Sequence, residues 1–288
     1  RLGRALKGMK LVTGGSGVAI GLPGNWGIQP NASASRLASP VGWQAVVCGS
    51  CSQATRAQVA HAKARGWPCL PLDVPTLVSG GESAIDAMSQ AALAWAKPLL
   101  AKGPVLVYST DEPEVVKAVQ DQWGSLRAGH AVEQVLARVA KGLVEAGVGQ
   151  LVVAGGETSG ACVQALGVTQ LQIGEQIDPG VPWCHARLPR SHSAQVTGLH
   201  LSLKSGNFGS EDFFLKAFDR LKAGDSAPDS NAALSIGFKL RDECSKLIVI
   251  ECVANLLHQV EVVVQIVNGG EHGAEHFAAT VEVVQIGS

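Results

Sequence analysis

Leu151-Val152-Val153-Ala154-Gly155-Gly156-Glu157-Thr158-Ser159-Gly160 reads as a strand, a sharp turn and the approach to a helix. An apolar run without alternation suits a strand covered on both faces, as in a parallel sheet between helical layers. The glycine pair permits a tight turn, and the hydroxyl pair supplies groups that cap helices. Helix is expected to resume over residues 161–166. Strand, turn and helix start together leave several unpaired N–H groups facing one point, with the positive end of the helix dipole behind them. Phosphate suits that point, and so does an ordinary helix N-terminus capped by Thr158 or Ser159.

Outward from this stretch, strand and helix patterns alternate through the first 220 or so residues. Ala45-Val46-Val47-Cys48 is a short apolar strand ending in Gly49-Ser50-Cys51-Ser52, and a helix follows over 53–65. Leu70-Pro71-Leu72-Asp73-Val74 reads as a strand whose prolines favour a sheet edge. Residues 82–100 are helical, and Pro104-Val105-Leu106-Val107-Tyr108 is the next strand. Ser109-Thr110-Asp111-Glu112-Pro113 leads into a helix reaching about Trp123. A second helix is expected over 129–146, where Val132, Val135, Leu136, Val139, Leu143 and Val144 share one face. The expectation is an α/β fold: a mostly parallel sheet flanked by helices, with βαβ crossovers and glycine-rich loops at the carboxyl ends of strands. Ligands of open sheets sit beyond those ends.

Residues 223–233 are small and polar and read as a linker, which divides the chain into a unit over 1–222 and a tail over 223–288. Valine-rich strand candidates occupy 260–267 and 280–286. Ser230-Asn231-Ala232 resembles the scar of a cleaved expression tag, which leaves two readings of the tail: a segment not contiguous with 1–222 in the natural protein, or part of an acceptor domain. Arg1 in place of methionine suggests that the chain begins inside a longer one.

Composition narrows the function. Of 288 residues 46% are hydrophobic, 16% charged and 34 are glycine, so a folded core is expected and glycine calls for tight loops. A net charge of −1 lacks the basic surface of a nucleic-acid binder. No apolar run approaches the ~18 residues of a membrane span, since Lys97, Pro98, Lys102, Gly103 and Pro104 interrupt 91–108. Seven irregularly spaced cysteines point to a reduced, cytoplasmic protein. Low charge and a parallel sheet are compatible with a homo-oligomeric interface.

Among the motifs, Lys204-Ser205-Gly206-Asn207-Phe208-Gly209 follows the apolar 199–203 and offers a cation, hydroxyl and amide donors, and room for close approach. It reads as an anion site or as a plain strand-to-helix turn. Ile177-Asp178-Pro179-Gly180-Val181-Pro182-Trp183 reads as a turn carrying one carboxylate. Gly14-Gly15-Ser16-Gly17-Val18-Ala19-Ile20-Gly21 is one residue too long for G-x-G-x-x-G, and no P-loop is present. Cys48-Gly49-Ser50-Cys51 has C-x-x-C spacing, and His272-Gly273-Ala274-Glu275-His276 has H-x-x-E-H spacing beside glycines that weaken a helix. Asn31-Ala32-Ser33 is a sequon without secretory context.

Taken in order, Leu11-Val12-Thr13-Gly14-Gly15-Ser16-Gly17, the 49–56 loop (Gly49-Ser50-Cys51-Ser52-Gln53-Ala54-Thr55-Arg56), the 152–160 stretch, the 177–183 turn and the 203–209 loop resemble the four-carbon acid sugar kinases, which include 3-oxotetronate, D-threonate and D-erythronate kinases. The resemblance implies ATP-dependent phosphorylation of the terminal hydroxyl of a four-carbon sugar acid. It carries nucleotide contacts onto Ser50, Ser52, Gly155, Gly156, Glu157, Thr158 and Gly206. Lys204 and Asn207 complete the expected binding set, with Mg²⁺ accompanying ATP. The acceptor-binding domain of that family has no counterpart in the chain, and neither a catalytic base nor a metal ligand is assigned. Two other readings stay open: a noncatalytic nucleotide-binding or assembly module, and a thiol oxidoreductase built on Cys48 and Cys51.

Overall fold

A computed structural model describes residues 2–8, 21–27, 35–110, 113–188, 198–223, 236–237, 261–266 and 279–284. The motifs at 31–33, 230–232 and 272–276, and residues 11–20 of the glycine-rich stretch ending at Gly21, lie outside these residues.

After a short helix α1 (Leu2–Ala5), the chain runs through β1 (Trp43–Cys48), α2 (Gln53–Ala64), β2 (Cys69–Pro71), α3 (Val74–Ala96) and β3 (Val105–Tyr108). It continues through α4 (Pro113–Trp123), α5 (Ser125–Glu145), β4 (Val148–Ala154) and α6 (Gly156–Ala165). Then come β5 (Gln170–Asp178), β6 (Val181–Arg187), β7 (Gly198–Lys204) and α7 (Phe213–Ala223). β8 (Ile236–Gly237), β9 (Glu261–Ile266) and β10 (Ala279–Val284) complete the described elements.

Among the described residues the main sheet has the order β2-β3-β1-β4-β7-β6-β5-β8. The first five are parallel neighbours, as expected, and proline-containing β2 is at the edge. The remaining pairings, β7 with β6, β6 with β5 and β5 with β8, are antiparallel. The 177–183 stretch is therefore mostly strand, with Pro179 and Gly180 alone forming the hairpin turn. β9 and β10 pair antiparallel in a sheet of their own.

Alternate residues of the parallel strands face two helical layers. Ala45, Val47, Val105, Val107, Leu151 and Val153 pack with α3, α5 and α6 through residues such as Leu77, Val135 and Val163. Val46, Cys48, Leu106, Val152 and Ala154 pack with α2 and α7 through Val59, Phe213, Phe214 and Phe218. Trp183 on β6 fixes α7 by donating its indole N–H to the Ala217 carbonyl at 2.7 Å.

Strand register aligns the carboxyl ends. Pro71 pairs with Tyr108, Tyr108 with Cys48, Cys48 with Ala154, and Ala154 with Lys204. Five carboxyl-terminal strand residues thus stand in one row across the sheet. The chain leaves β1 toward β2 on one side and leaves β4 toward β5 on the other, so the topological switch point lies between β1 and β4.

Phe214 is fully buried between α7 and the sheet. Phe214→Ala is expected to lower the unfolding free energy by about 3–5 kcal/mol in urea denaturation. A loss below about 1 kcal/mol would mean that α7 does not anchor this layer.

Candidate functional site

The loops following β1, β4 and β7 start from the same row of the sheet and lock together at their roots. Gly49 N–H donates to the Ala154 carbonyl at 2.9 Å, and Gly155 N–H donates to the Lys204 carbonyl at 2.8 Å. Their contact leaves no room for side chains. A methyl group on Gly49 would lie 2.1 Å from Thr158 Oγ1, and one on Gly206 would lie 2.4 Å from Ser50 Oγ. Ser50, Ser52, Gly155, Gly156, Glu157, Thr158, Lys204, Gly206 and Asn207 therefore belong to one cluster of neighbouring loops.

In the central loop, helix begins earlier than the sequence suggests. Gly155 takes φ +127°, which an L side chain rarely adopts, and α6 starts at Gly156 rather than after Gly160. The turn is one residue long, so Glu157 and Thr158 belong to the first helical turn. The capped alternative does not form: the N-cap residue makes no side-chain capping bond. Ser159 Oγ instead donates to the Gly155 carbonyl at 2.6 Å. The first backbone bond of the helix is Ser159 N–H to the Gly155 carbonyl at 2.9 Å. The amides of Gly156, Glu157 and Thr158 precede it, so the helix itself offers them no acceptor. Space beside the Gly156 α-carbon is open, Glu157 is exposed and Thr158 is buried.

The β1 loop contributes hydroxyls. Ser52 caps α2, its Oγ accepting from Thr55 N–H at 3.2 Å, and Ser50 Oγ donates to Ser52 Oγ at 3.3 Å. Across the cluster, the Gly206 carbonyl lies 2.6 Å from Ser52 Oγ and 2.8 Å from Thr55 Oγ1. Gln58, one turn further along α2, places Nε2 at 3.0–3.1 Å from the carbonyls of Phe208, Gly209 and Ser210. Sequence reasoning gave Thr55 and Gln58 no role. Their i, i+3 spacing from Ser52, which puts all three on one helix face, was the available signal.

Lys204 does not extend outward from its loop. Its side chain is fully buried, and Nζ donates to Thr55 Oγ1 at 3.0 Å, the Ser205 carbonyl at 3.1 Å and the Gly206 carbonyl at 2.9 Å. Burial pushes this ammonium down to about 8, against the opposing influence of the nearby Cys48 thiol. Asn207 is exposed at the loop tip. Asp178 turns away from any ligand role: its carboxylate accepts from Ser210 N–H at 2.8 Å, Ser210 Oγ at 2.9 Å and Lys216 Nζ at 2.5 Å. Partial burial alone would raise the Asp178 pKa, but the bonds from Lys216 and Ser210 outweigh it and hold the carboxyl below its usual range.

The C-x-x-C pair lacks the environment of a redox centre. Cys48 is buried, its Sγ 3.1 Å from Thr110 Oγ1, and burial pushes its thiol up to about 11. A catalytic thiolate needs the opposite shift. Among the described residues no three His, Cys, Asp or Glu gather as a metal site, and no helix is long and apolar enough to cross a membrane.

Residues 45–214 match the family model of a nucleotide-binding C-terminal domain. The chain is 47% identical over 225 residues to a 3-oxo-tetronate kinase of Cupriavidus necator, covering 76% of this chain and 49% of that protein. A 3-oxo-tetronate kinase of Pseudomonas fluorescens is 46% identical over 226 residues, covering 77% and 49%. A crystal structure of a Haemophilus influenzae protein, 36% identical, superposes with a TM-score of 0.57 over 76% of this chain and 50% of that one. The chain thus spans about half the length of the curated relatives it matches.

The buried ammonium of Lys204 makes a signed prediction. Between about pH 8 and 10.5 the unfolded chain keeps a proton on this lysine that the folded chain has released. Its contribution to stability therefore rises with pH across that window and is smallest below it. Urea unfolding on both sides of pH 8 is expected to show wild type gaining stability relative to Lys204→Met as pH rises. A flat or falling difference would contradict the burial of a charged lysine.

Proposed function

The chain belongs to the four-carbon acid sugar kinase family as its nucleotide-binding C-terminal domain, and from that premise we propose that it binds ATP for phosphoryl transfer to a four-carbon sugar acid. The observation that carries this reading is the uncapped start of α6. Three backbone amides have no acceptor within the helix, the space beside the Gly156 α-carbon is open, and a loop of serine hydroxyls and a glycine-containing loop lie alongside. A polyphosphate supplies the acceptors and the negative charge that such a point favours. The same group of loops stands at the switch point of the sheet, where ligands of open α/β folds bind.

In this proposal the unit over residues 1–222 carries the nucleotide, and the amides of Gly156, Glu157 and Thr158 hold its phosphates. Ser50 and Ser52 supply hydroxyls beside Gly155, and the 206–207 loop closes the other side. Phosphoryl transfer depends chiefly on positioning and on neutralising charge, which fixed backbone donors do without reorganising. Mg²⁺ bound with ATP would offset phosphate charge, and Glu157, exposed in the first turn of α6, is the carboxylate suited to hold it. The acceptor is a small sugar acid whose terminal hydroxyl receives the γ-phosphoryl group. The names of the two bacterial relatives make 3-oxotetronate the first acceptor to test. A reducing, cytoplasmic setting suits Cys48, Cys51, Cys69, Cys162 and Cys184, which among the described residues form no disulfide.

Gly156→Asp tests the reading with little risk to the fold. Nothing lies within 4 Å of the added β-carbon, and aspartate is favourable in the first turn of a helix. Calorimetric titration is expected to give ATP binding to wild type and at least about tenfold weaker binding to Gly156→Asp, the effect of one like charge in the cradle. Equal affinity for both would remove α6 from the site.

A further inference from the structure

Lys204 was expected to meet phosphate with its own charge, yet its ammonium points inward, toward the carbonyls of its own loop. Three N–H donors meet three acceptors: Thr55 Oγ1, the Ser205 carbonyl and the Gly206 carbonyl. The Ser205 carbonyl also accepts from Phe208 N–H at 3.2 Å, closing the turn. The Gly206 carbonyl is held in addition by Thr55 Oγ1 and Ser52 Oγ from the start of α2.

Peptide planarity turns this inward clasp into an outward feature. In a trans peptide the C=O and the following N–H point in opposite directions. The Ser205 carbonyl shares its peptide plane with Gly206 N–H, and the Gly206 carbonyl shares its plane with Asn207 N–H. With both carbonyls drawn in to Lys204, both amides face outward. Among the described residues neither amide has a protein acceptor. Gly206 also approaches Ser50 and Ser52 too closely for any side chain, so this pair of donors borders the serine hydroxyls.

Resting on the ATP-binding reading above, we propose that Lys204 is a positioning residue: its buried ammonium, with Thr55, fixes the Gly206 and Asn207 amides as a second pair of phosphate donors opposite the start of α6. Lys204 itself touches no phosphate. It acts through the two peptide planes that it orients. The role sequence gave to the lysine cation passes to backbone N–H groups, which bind anions in loops of this kind. Asn207 then contributes its main chain, which explains why its side chain can remain exposed at the tip.

Thr55→Val removes the hydroxyl that bridges Lys204 and the Gly206 carbonyl while keeping the side-chain shape, and Thr55→Ser restores the hydroxyl. ATP affinity is measured by calorimetry for wild type, both Thr55 variants and Lys204→Met, with circular dichroism to show the fold. Amide ¹H–¹⁵N shifts of Gly206 and Asn207 are followed on adding MgATP. The expectation is roughly tenfold weaker binding by Thr55→Val and Lys204→Met, the value of about one charge-assisted hydrogen bond, with near wild-type binding by Thr55→Ser. Both amides should shift on nucleotide addition in wild type. Folded Thr55→Val and Lys204→Met variants that bind as tightly as wild type, or amides that do not move in a nucleotide-bound wild type, overturn the positioning role and leave the ATP reading intact. A wild type that does not bind ATP overturns both. Should Thr55→Val fail to fold, Lys204→Met decides.

Discussion

Cys48, Ala154 and Lys204 stand side by side because β1, β4 and β7 pair in parallel, in register. Everything else in the candidate site depends on that row. Parallel strands deliver their carboxyl ends to one edge, so three loops far apart in sequence leave the sheet at one level. Each then has only a few residues in which to turn, and the glycines are where the turns collide. Gly49 meets Thr158, Gly206 meets Ser50 and Ser52, and Gly155 takes a backbone conformation closed to most residues. The glycine-rich composition is, in these loops, a consequence of register.

The electrostatics arise from the same crowding. A loop cluster so tightly packed excludes water from Lys204, and a desolvated ammonium is costly unless every proton finds an acceptor. Here each does, and the acceptors are a hydroxyl of α2 and two main-chain carbonyls. One charged side chain thereby ties β7 to α2, while Gln58 and Asp178 tether the next residues of the same loop. The loop after β7 is held along its length by internal bonds, so a ligand would meet donors already in place and spend less of its binding energy on ordering them.

Sequence revealed the parallel half of the fold because continuous apolar runs such as Val105-Leu106-Val107 carry strong signals, with helices and glycine loops between them. It did not reveal β5 and β6. Gln170–Asp178 is only half-buried, with Gln172, Glu175 and Gln176 breaking the apolar pattern, and antiparallel pairing permits such a strand. The neighbouring Pro179-Gly180 looked like the whole of a turn when it was the tip of a hairpin. The convergence of the candidate loops was legible, since each loop ends a recognisable strand. The direction of Lys204 was not, because whether a lysine faces solvent or its own loop depends on Thr55, 149 positions away in sequence. Nor was the early start of α6, where two glycines that sequence reads as loop are accepted because the second is only the first residue of the helix.

Backbone amides from two neighbouring loops, rather than a cationic side chain, form the proposed phosphate site. A crystal structure of the chain with a nonhydrolysable ATP analogue and Mg²⁺ tests this most directly. Phosphate oxygens are expected within hydrogen-bond distance, about 2.7–3.2 Å, of the amides of Gly156 and Glu157 on one side and Gly206 and Asn207 on the other. Lys204 should remain buried on its three internal acceptors. A nucleotide bound elsewhere, or a Lys204 side chain swung out to a phosphate, would contradict the proposed site.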